Sequence, residues 1–232
     1  MKSDNPQSVA ARLRSEWRLK LVLLFILNAW IYAPYLFFQR HHYFPPTAMP
    51  LSFLDWLIPF WAETVWIYLS VYFLMPIGPF LMNRRRQIHC YAAGIALIGL
   101  IADVVFFFFP TTCPRPSAAG TNTLYQSLVG IDNPFHAFPS LHAAFAVYSA
   151  RCAVMVAREL NGSRLFEIGL WFWTFMILVA TLTTKQHVIV DLAGGGALGY
   201  GIYSCVFNWG KFGKSPTSSL ESAATNVNSN IP

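Results

Sequence analysis

Long apolar runs alternate with short polar breaks along nearly the whole chain. The runs fall at roughly Leu19–Phe38, Trp61–Met82, Ile88–Phe109, Leu141–Arg158, Leu165–Leu182 and Val188–Trp209. Each suits a helix crossing a bilayer, which takes about 20 mostly apolar residues. The expected fold is therefore an all-α integral membrane protein, a bundle of six transmembrane helices. The first run is longer than the apolar part of a signal peptide and no A-x-A site follows, so it reads as an uncleaved first helix. After it, His41, His42, Pro45, Pro46 and Pro50 make a loop too rich in proline for a helix. Residues 51–60 are a short apolar stretch around Asp55 that suits the membrane interface. The longest loop, 110–138, is rich in proline, glycine, serine and threonine. Three parts result: a polar N-terminal segment 1–18, a six-span membrane domain 19–209, and a tail 210–232 whose serine and asparagine predict disorder.

Composition supports the membrane reading. Hydrophobic residues make up 55% and charged residues 11%, against roughly 25% charged in a soluble domain. Mean hydropathy is +0.44. The net charge of +6 does not point to nucleic acid, because Lys and Arg sit in short clusters between apolar runs rather than in a stripe with aromatics. Those clusters orient the chain. With the N-terminus in the cytoplasm, the cytoplasmic segments hold twelve Lys and Arg residues, among them Arg12, Arg14, Arg18, Lys20, Arg84–Arg86, Arg158 and Arg164. The opposite side holds three, Arg40, Arg115 and Lys185. That asymmetry predicts both termini in the cytoplasm. The loop 110–138, the start of the fourth span and the hinge at 183–187 then lie on the non-cytoplasmic face.

Polar residues concentrate in two places on that face. One is Asn133-Pro-Phe-His136-Ala-Phe-Pro139-Ser140-Leu141-His142; the other is Thr183-Thr184-Lys185-Gln186-His187-Val-Ile-Val-Asp191. Ionisable groups at membrane depth are costly and tend to face the bundle interior and act there. His187 and Asp191 are four apart and would share one face of a helix. A carboxylate there can hold an imidazole's tautomer and stabilise its cation. The plainer reading is a buried pair that serves packing. A second histidine, His142, beside a serine at a helix start weighs toward chemistry.

Pro139-Ser140-Leu141-His142 followed by His187-x3-Asp191 resembles the type 2 phosphatidic acid phosphatase superfamily. That family carries K-x6-R-P, P-S-G-H and S-R-x5-H-x3-D motifs. Arg115-Pro116 looks like the end of the first, and the likeness spans about residues 60–209. The resemblance implies that His187 attacks phosphorus to give a phosphohistidine and that Asp191 orients it. It also implies that His142 protonates the leaving oxygen while Ser140 and the helix start hold phosphate oxygens. Imidazole can serve as nucleophile and acid near neutral pH, and a helix N-terminus favours an anion.

The departures are informative. Phe108 stands where the family has lysine, Thr181 where it has arginine, and Leu141 where it has glycine. Arg115 is the cation left in register, and Lys185 is a candidate substitute. The pattern is closer to the inositolphosphotransferase branch, the inositol phosphorylceramide synthase-like enzymes. This implies a phospholipid or sphingolipid substrate and a lipid or polyol acceptor, or water. The competing readings are a lipid phosphate phosphatase acting on phosphatidic acid or an isoprenyl phosphate, and a non-catalytic transporter or scaffold with the same fold. His136 and Asp132 are further candidates to line the site. Glu63 and Asp103 suit pairing between helices. The Gly194–Gly196 and Gly199 spacing suits close helix packing better than a phosphate loop. Cys90, Cys113, Cys152 and Cys205 follow no metal spacing, so no metal, cofactor or structural disulfide is expected. Headgroup identity and oligomeric state have no sequence signal.

Overall fold

A computed structural model describes residues 8–41, 43–116 and 122–212, with side chains described as far as Phe207. His42, Lys2, Lys214 and nearly all of the tail expected to be disordered lie outside the described residues. The helices are α1 (Val9–Arg14), α2 (Trp17–Phe38), α3 (Phe53–Leu57), α4 (Val65–Leu69), α5 (Val71–Leu81), α6 (Arg85–Phe108), α7 (Thr123–Ile131), α8 (Leu141–Glu159), α9 (Arg164–Thr183) and α10 (Ile189–Phe212). Two two-residue strands, β1 (Thr47–Ala48) and β2 (Thr111–Thr112), pair in parallel. The fold is all-helical in substance.

Five segments are long and apolar enough to cross a membrane: Trp17–Phe38, Ala62–Leu81, Arg85–Phe108, Arg164–Thr183 and Ile189–Phe207. The sixth long helix, α8, is rich in alanine and less apolar, and it is not among those five. Its surroundings explain the difference. It packs against α10, α5, α9 and α6, so it meets protein on most sides and small residues fill its contacts. Its Arg151 lies over the rings of Tyr200 and Tyr203, a cation–π arrangement that holds the charge inside the bundle.

The second run differs from one straight helix. It breaks at Ser70 into α4 and α5, and α5 contains Pro76 and Pro79. A proline removes the backbone donor to the carbonyl four residues earlier. Pro79 thereby frees the Met75 carbonyl, and the Tyr91 hydroxyl donates to it at 2.9 Å. The longest loop is also more ordered than its composition predicts. Asn122 caps α7, and Tyr125 is buried against Phe60 while its hydroxyl donates to the Thr184 carbonyl.

Charged groups from distant segments converge at one end of the bundle. Arg12 is buried, donating to the Leu81 carbonyl and to Glu159, which also accepts from Gln87. Arg85 meets Glu16, and Arg158 meets Glu167. Glu63 is exposed, Asp103 is half-buried, and neither side chain has a hydrogen bond or ion pair among the described residues.

The opposite end is laced by backbone. Thr47 and Met49 bond Pro110 and Thr112, Cys113 bonds Pro134, and Ala137 bonds Thr111. This platform supports the start of α8, where the Phe138–Pro139 peptide is cis.

Candidate active site

Residues 136–142 and 185–191 meet where α8 and α10 begin. Ser140 caps α8, its hydroxyl accepting from the Ala143 amide at 3.3 Å, and it is fully buried. Its own amide donates to the Asp191 carbonyl at 3.1 Å. The two helices then run in close contact because α10 carries glycine where they touch. A Cβ on Gly195 would lie 2.2 Å from the Ser140 carbonyl oxygen, and one on Gly199 would lie 2.2 Å from that of Ala144. The glycine spacing is therefore a packing device, as expected.

His187 and Asp191 come together, though not as two residues on one helical face. His187 precedes α10, whose first residue is Ile189. Asp191 folds back at the helix start, and its Oδ2 accepts from the Val188 amide at 3.0 Å. The same oxygen lies 3.5 Å from His187 Nδ1. The Asp191 side chain is fully buried, while that of His187 is 12% exposed. Nδ1 faces the carboxylate without a hydrogen bond to it, and Nε2 is the ring's other nitrogen.

His142, the second residue of α8, lies flat on the ring of Tyr68, with centroids 3.9 Å apart and planes 12° apart. Tyr72 meets it edge-on. Its Nε2 is buried without a hydrogen-bond partner among the described residues. His136 is buried, with a positive φ of 65°, among the rings of Phe106, Tyr35 and Phe38.

His136, His142 and His187 line one cavity of about 690 Å³. From the histidines it continues between α2 and the α5–α6 pair as a mostly apolar slot. One face of α2 forms its wall, with Leu23, Leu27, Ile31 and Tyr35 at helical spacing between Lys20 and Gln39. That stretch rises roughly 28 Å at 1.5 Å per residue, close to the thickness of a bilayer's hydrocarbon core. Polar bonds tether α2 near both ends. Lys20 donates to the carbonyls of Arg12 and Phe80, while Tyr35 and Gln39 donate to Asp132.

The two candidate cations are committed elsewhere. Arg115 pairs with Asp132 at 3.2 Å and also donates to the carbonyls of Asp132 and Asn133 and to Gln186. Asp132, not Arg115, lines the cavity. Lys185, at a positive φ of 54°, donates to the carbonyls of Asp55 at 3.0 Å and Ile58 at 2.6 Å. Its ammonium thus braces the hinge and does not line the cavity. The family's other two cation positions lead away from it. Phe108 is 64% exposed, and Thr181 is buried with its hydroxyl on the Ile177 carbonyl.

Sequence reasoning missed two supports. Asp55 joins the 51–60 stretch to the site: its carboxylate accepts from Ser52 and from the Ile189 amide at the start of α10. Burial alone would raise its pKa, yet these bonds and nearby Lys185 hold it below the ordinary carboxylate range. The capping pair Ser52-x-x-Asp55 was visible in the sequence, but its contact with residue 189 had no local signal. Tyr68 had none at all. The loop thiol of Cys113 is pushed up to about 12 by burial, with Asp191 adding to the effect, so it stays a thiol.

Against known families, the model described as the PAP2 superfamily matches residues 58–205. Neither a curated protein nor a solved structure matches the chain.

Proposed function

The chain belongs to the PAP2 superfamily, whose members are generally phosphatases and phosphotransferases, and from that premise we propose that it transfers the phospho-headgroup of a phosphodiester lipid through a phosphohistidine. The observation that carries the reading is the shared cavity of His142 and His187, backed by Asp191 and continuing into an apolar slot along α2. The slot takes the lipid's chain and the histidines take its phosphate.

In this scheme His187 Nε2 attacks phosphorus, and the bond to the leaving oxygen breaks with its electron pair going to that oxygen. Protonated His142 donates the proton. Asp191, against Nδ1, holds the tautomer and stabilises the charge that develops on His187. The acceptor's hydroxyl oxygen then attacks phosphorus, His142 takes its proton, and the N–P bond returns its pair to His187. The α8 start capped by Ser140 presents backbone donors to the phosphate, with His136 flanking it. Arg115 acts from behind Asp132, and Lys185 positions the hinge that carries the nucleophile.

The preference for a diester follows from charge. A monoester carries nearly two negative charges near neutral pH, its second pKa being about 6, and a diester carries one. Unpaired charge in a partly water-excluded site is expensive. Phe108 and Thr181 supply none of the positive charge their positions carry in the family, which favours the diester and the inositolphosphotransferase branch. In the same reading α8 is the fourth of six spans, residues 19–209 form one membrane domain, and both termini face the cytoplasm. The active site opens on the other face. That face agrees with the charged residues gathered at the far end of the bundle.

Comparing kcat/KM for a diester lipid and its matching monoester, with and without an acceptor alcohol, tests the proposal. The transferase reading requires a diester preference and product formed on the alcohol. A clear preference for the monoester, with water as acceptor, overturns it in favour of a lipid phosphatase.

A further inference from the structure

Among the residues expected to line the site, one brings a carboxylate into the cavity. Asp132 lines it together with the three histidines, where a phosphate anion would sit. Its side chain is 18% exposed, and Arg115 is 12% exposed beside it. The pair is built in rather than incidental. Tyr35 donates to Asp132 Oδ1 at 2.7 Å, Gln39 donates to the same oxygen, and Arg115 donates to Oδ2. On the other side Arg115 is fixed by Gln186, one residue before His187. Arg115 Nε remains buried without a partner among the described residues.

We infer that Asp132 sets the charge class of the substrate: it cancels Arg115 and turns a like charge toward the phosphate, so the site admits a singly charged phosphate and disfavours a doubly charged one. The inference rests on the proposed placement of phosphate at His142 and His187. Like charges brought together with little water between them repel strongly, and each further charge on the ligand adds to the repulsion. Removing Asp132's charge both frees a guanidinium and abolishes the repulsion. Removing Arg115's charge leaves Asp132 uncompensated. The two changes therefore act in opposite directions on both lipids and about twice as strongly on the monoester, whose charge is nearly double.

The test uses the full chain in detergent or vesicles, with wild type, Asp132→Asn, Arg115→Gln and the double variant. Each preparation receives a phosphodiester lipid and the phosphomonoester with the same acyl chains, and the readout is the monoester-to-diester ratio of kcat/KM. Loss of folded protein cancels in that ratio. Asp132→Asn should raise it at least about tenfold, Arg115→Gln should lower it, and the double variant should return toward wild type. An unchanged ratio in Asp132→Asn overturns the inference, as does movement of both single variants in one direction. Asp132→Asn protein that is inactive on both lipids also overturns it, since the residue then serves the fold or the chemistry itself. The wild-type ratio tests the transferase reading, whereas the change on substitution tests Asp132, so either can fail alone.

Discussion

The seam between α8 and α10 and the wall made by α2 belong to the same helical bundle, yet they are built oppositely. The seam is closed by glycine against backbone at Gly195 and Gly199, and the Ser140 amide is bonded to Asp191 across it. In α2, whose 22 residues are nearly all apolar, Lys20 is the single buried residue. It is tied by polar bonds near its ends and leaves the slot open between them. In the proposed reaction, close packing holds the reacting atoms to within fractions of an ångström, as chemistry at phosphorus requires. A loosely covered wall leaves room for an apolar chain to lie beside it. Fixed geometry and open access are thus separated onto different helices.

The comparison breaks most sharply at the nucleophile. His187→Ala should remove essentially all turnover, and Asp191→Asn should lower kcat by roughly 100- to 10,000-fold. Steady-state assays on folded protein check both. Near-normal activity in His187→Ala would remove the catalytic role from the seam altogether.

Gly195→Ala asks whether the seam must be this tight. The added Cβ would stand 2.2 Å from a carbonyl oxygen, so α8 and α10 must separate and His142 moves away from His187. A fall in kcat of about 100-fold is expected, the scale attached to a 1 Å misplacement. The same substitution at Gly201, where a Cβ meets nothing within 4 Å, should be tolerated. Equal behaviour of the two variants would contradict the packing argument.

His142→Ala should cost about 100-fold or more with an ordinary lipid. The loss should shrink with a substrate whose leaving group needs no proton, such as a nitrophenyl ester. Equal loss on both substrates would assign His142 to positioning instead.

On the other side of the comparison, Leu27→Trp places bulk in the slot beside α2. It should lower kcat/KM for long-chain lipids by about tenfold and spare short-chain analogues, because each excluded CH₂ forfeits about 0.8 kcal/mol of burial. Identical losses with both chain lengths would mean the slot does not hold the chain.

The sequence carried the long-range plan better than the local supports. Apolar runs marked the five segments apolar enough to cross a membrane to within a few residues, since a bilayer imposes length and hydropathy on each such helix separately; the break at Ser70 inside the second run was not legible. The P-S-x-H and H-x3-D spacings marked His142 and His187, which the fold does bring to one cavity. Their mode of meeting was not legible. Asp191 reaches His187 by folding back over Val188 at a helix start, not by helical spacing. Tyr68 under His142, Asp55 under Ile189 and Asp132 against Arg115 each join residues from separate loops or helices. Such contacts have no periodicity to betray them. Helix α7 was hidden because its polar loop composition outweighed one cap and one buried tyrosine.

The smallest expected effect concerns Asp55, which joins the 51–60 stretch to the start of α10. Asp55 has its pKa depressed in the folded protein, so its contribution to stability is present above its unfolded value of about 3.9. The contribution is lost as pH falls through the folded value. Asp55→Asn should therefore melt below wild type at neutral pH, and the two should converge in acid. A gap that stays constant with pH would assign the effect to shape rather than charge.

The central claim is a covalent one, that His187 carries the phosphoryl group between donor and acceptor. Rapid quenching of wild-type protein with a diester lipid and no acceptor, followed by peptide mass spectrometry under conditions that preserve phosphoramidates, reads it directly. The account predicts a modified histidine in the peptide containing His187, absent from His187→Ala and discharged when an acceptor alcohol is added. Turnover without any such adduct, or an adduct on His142 or His136 instead, would contradict it.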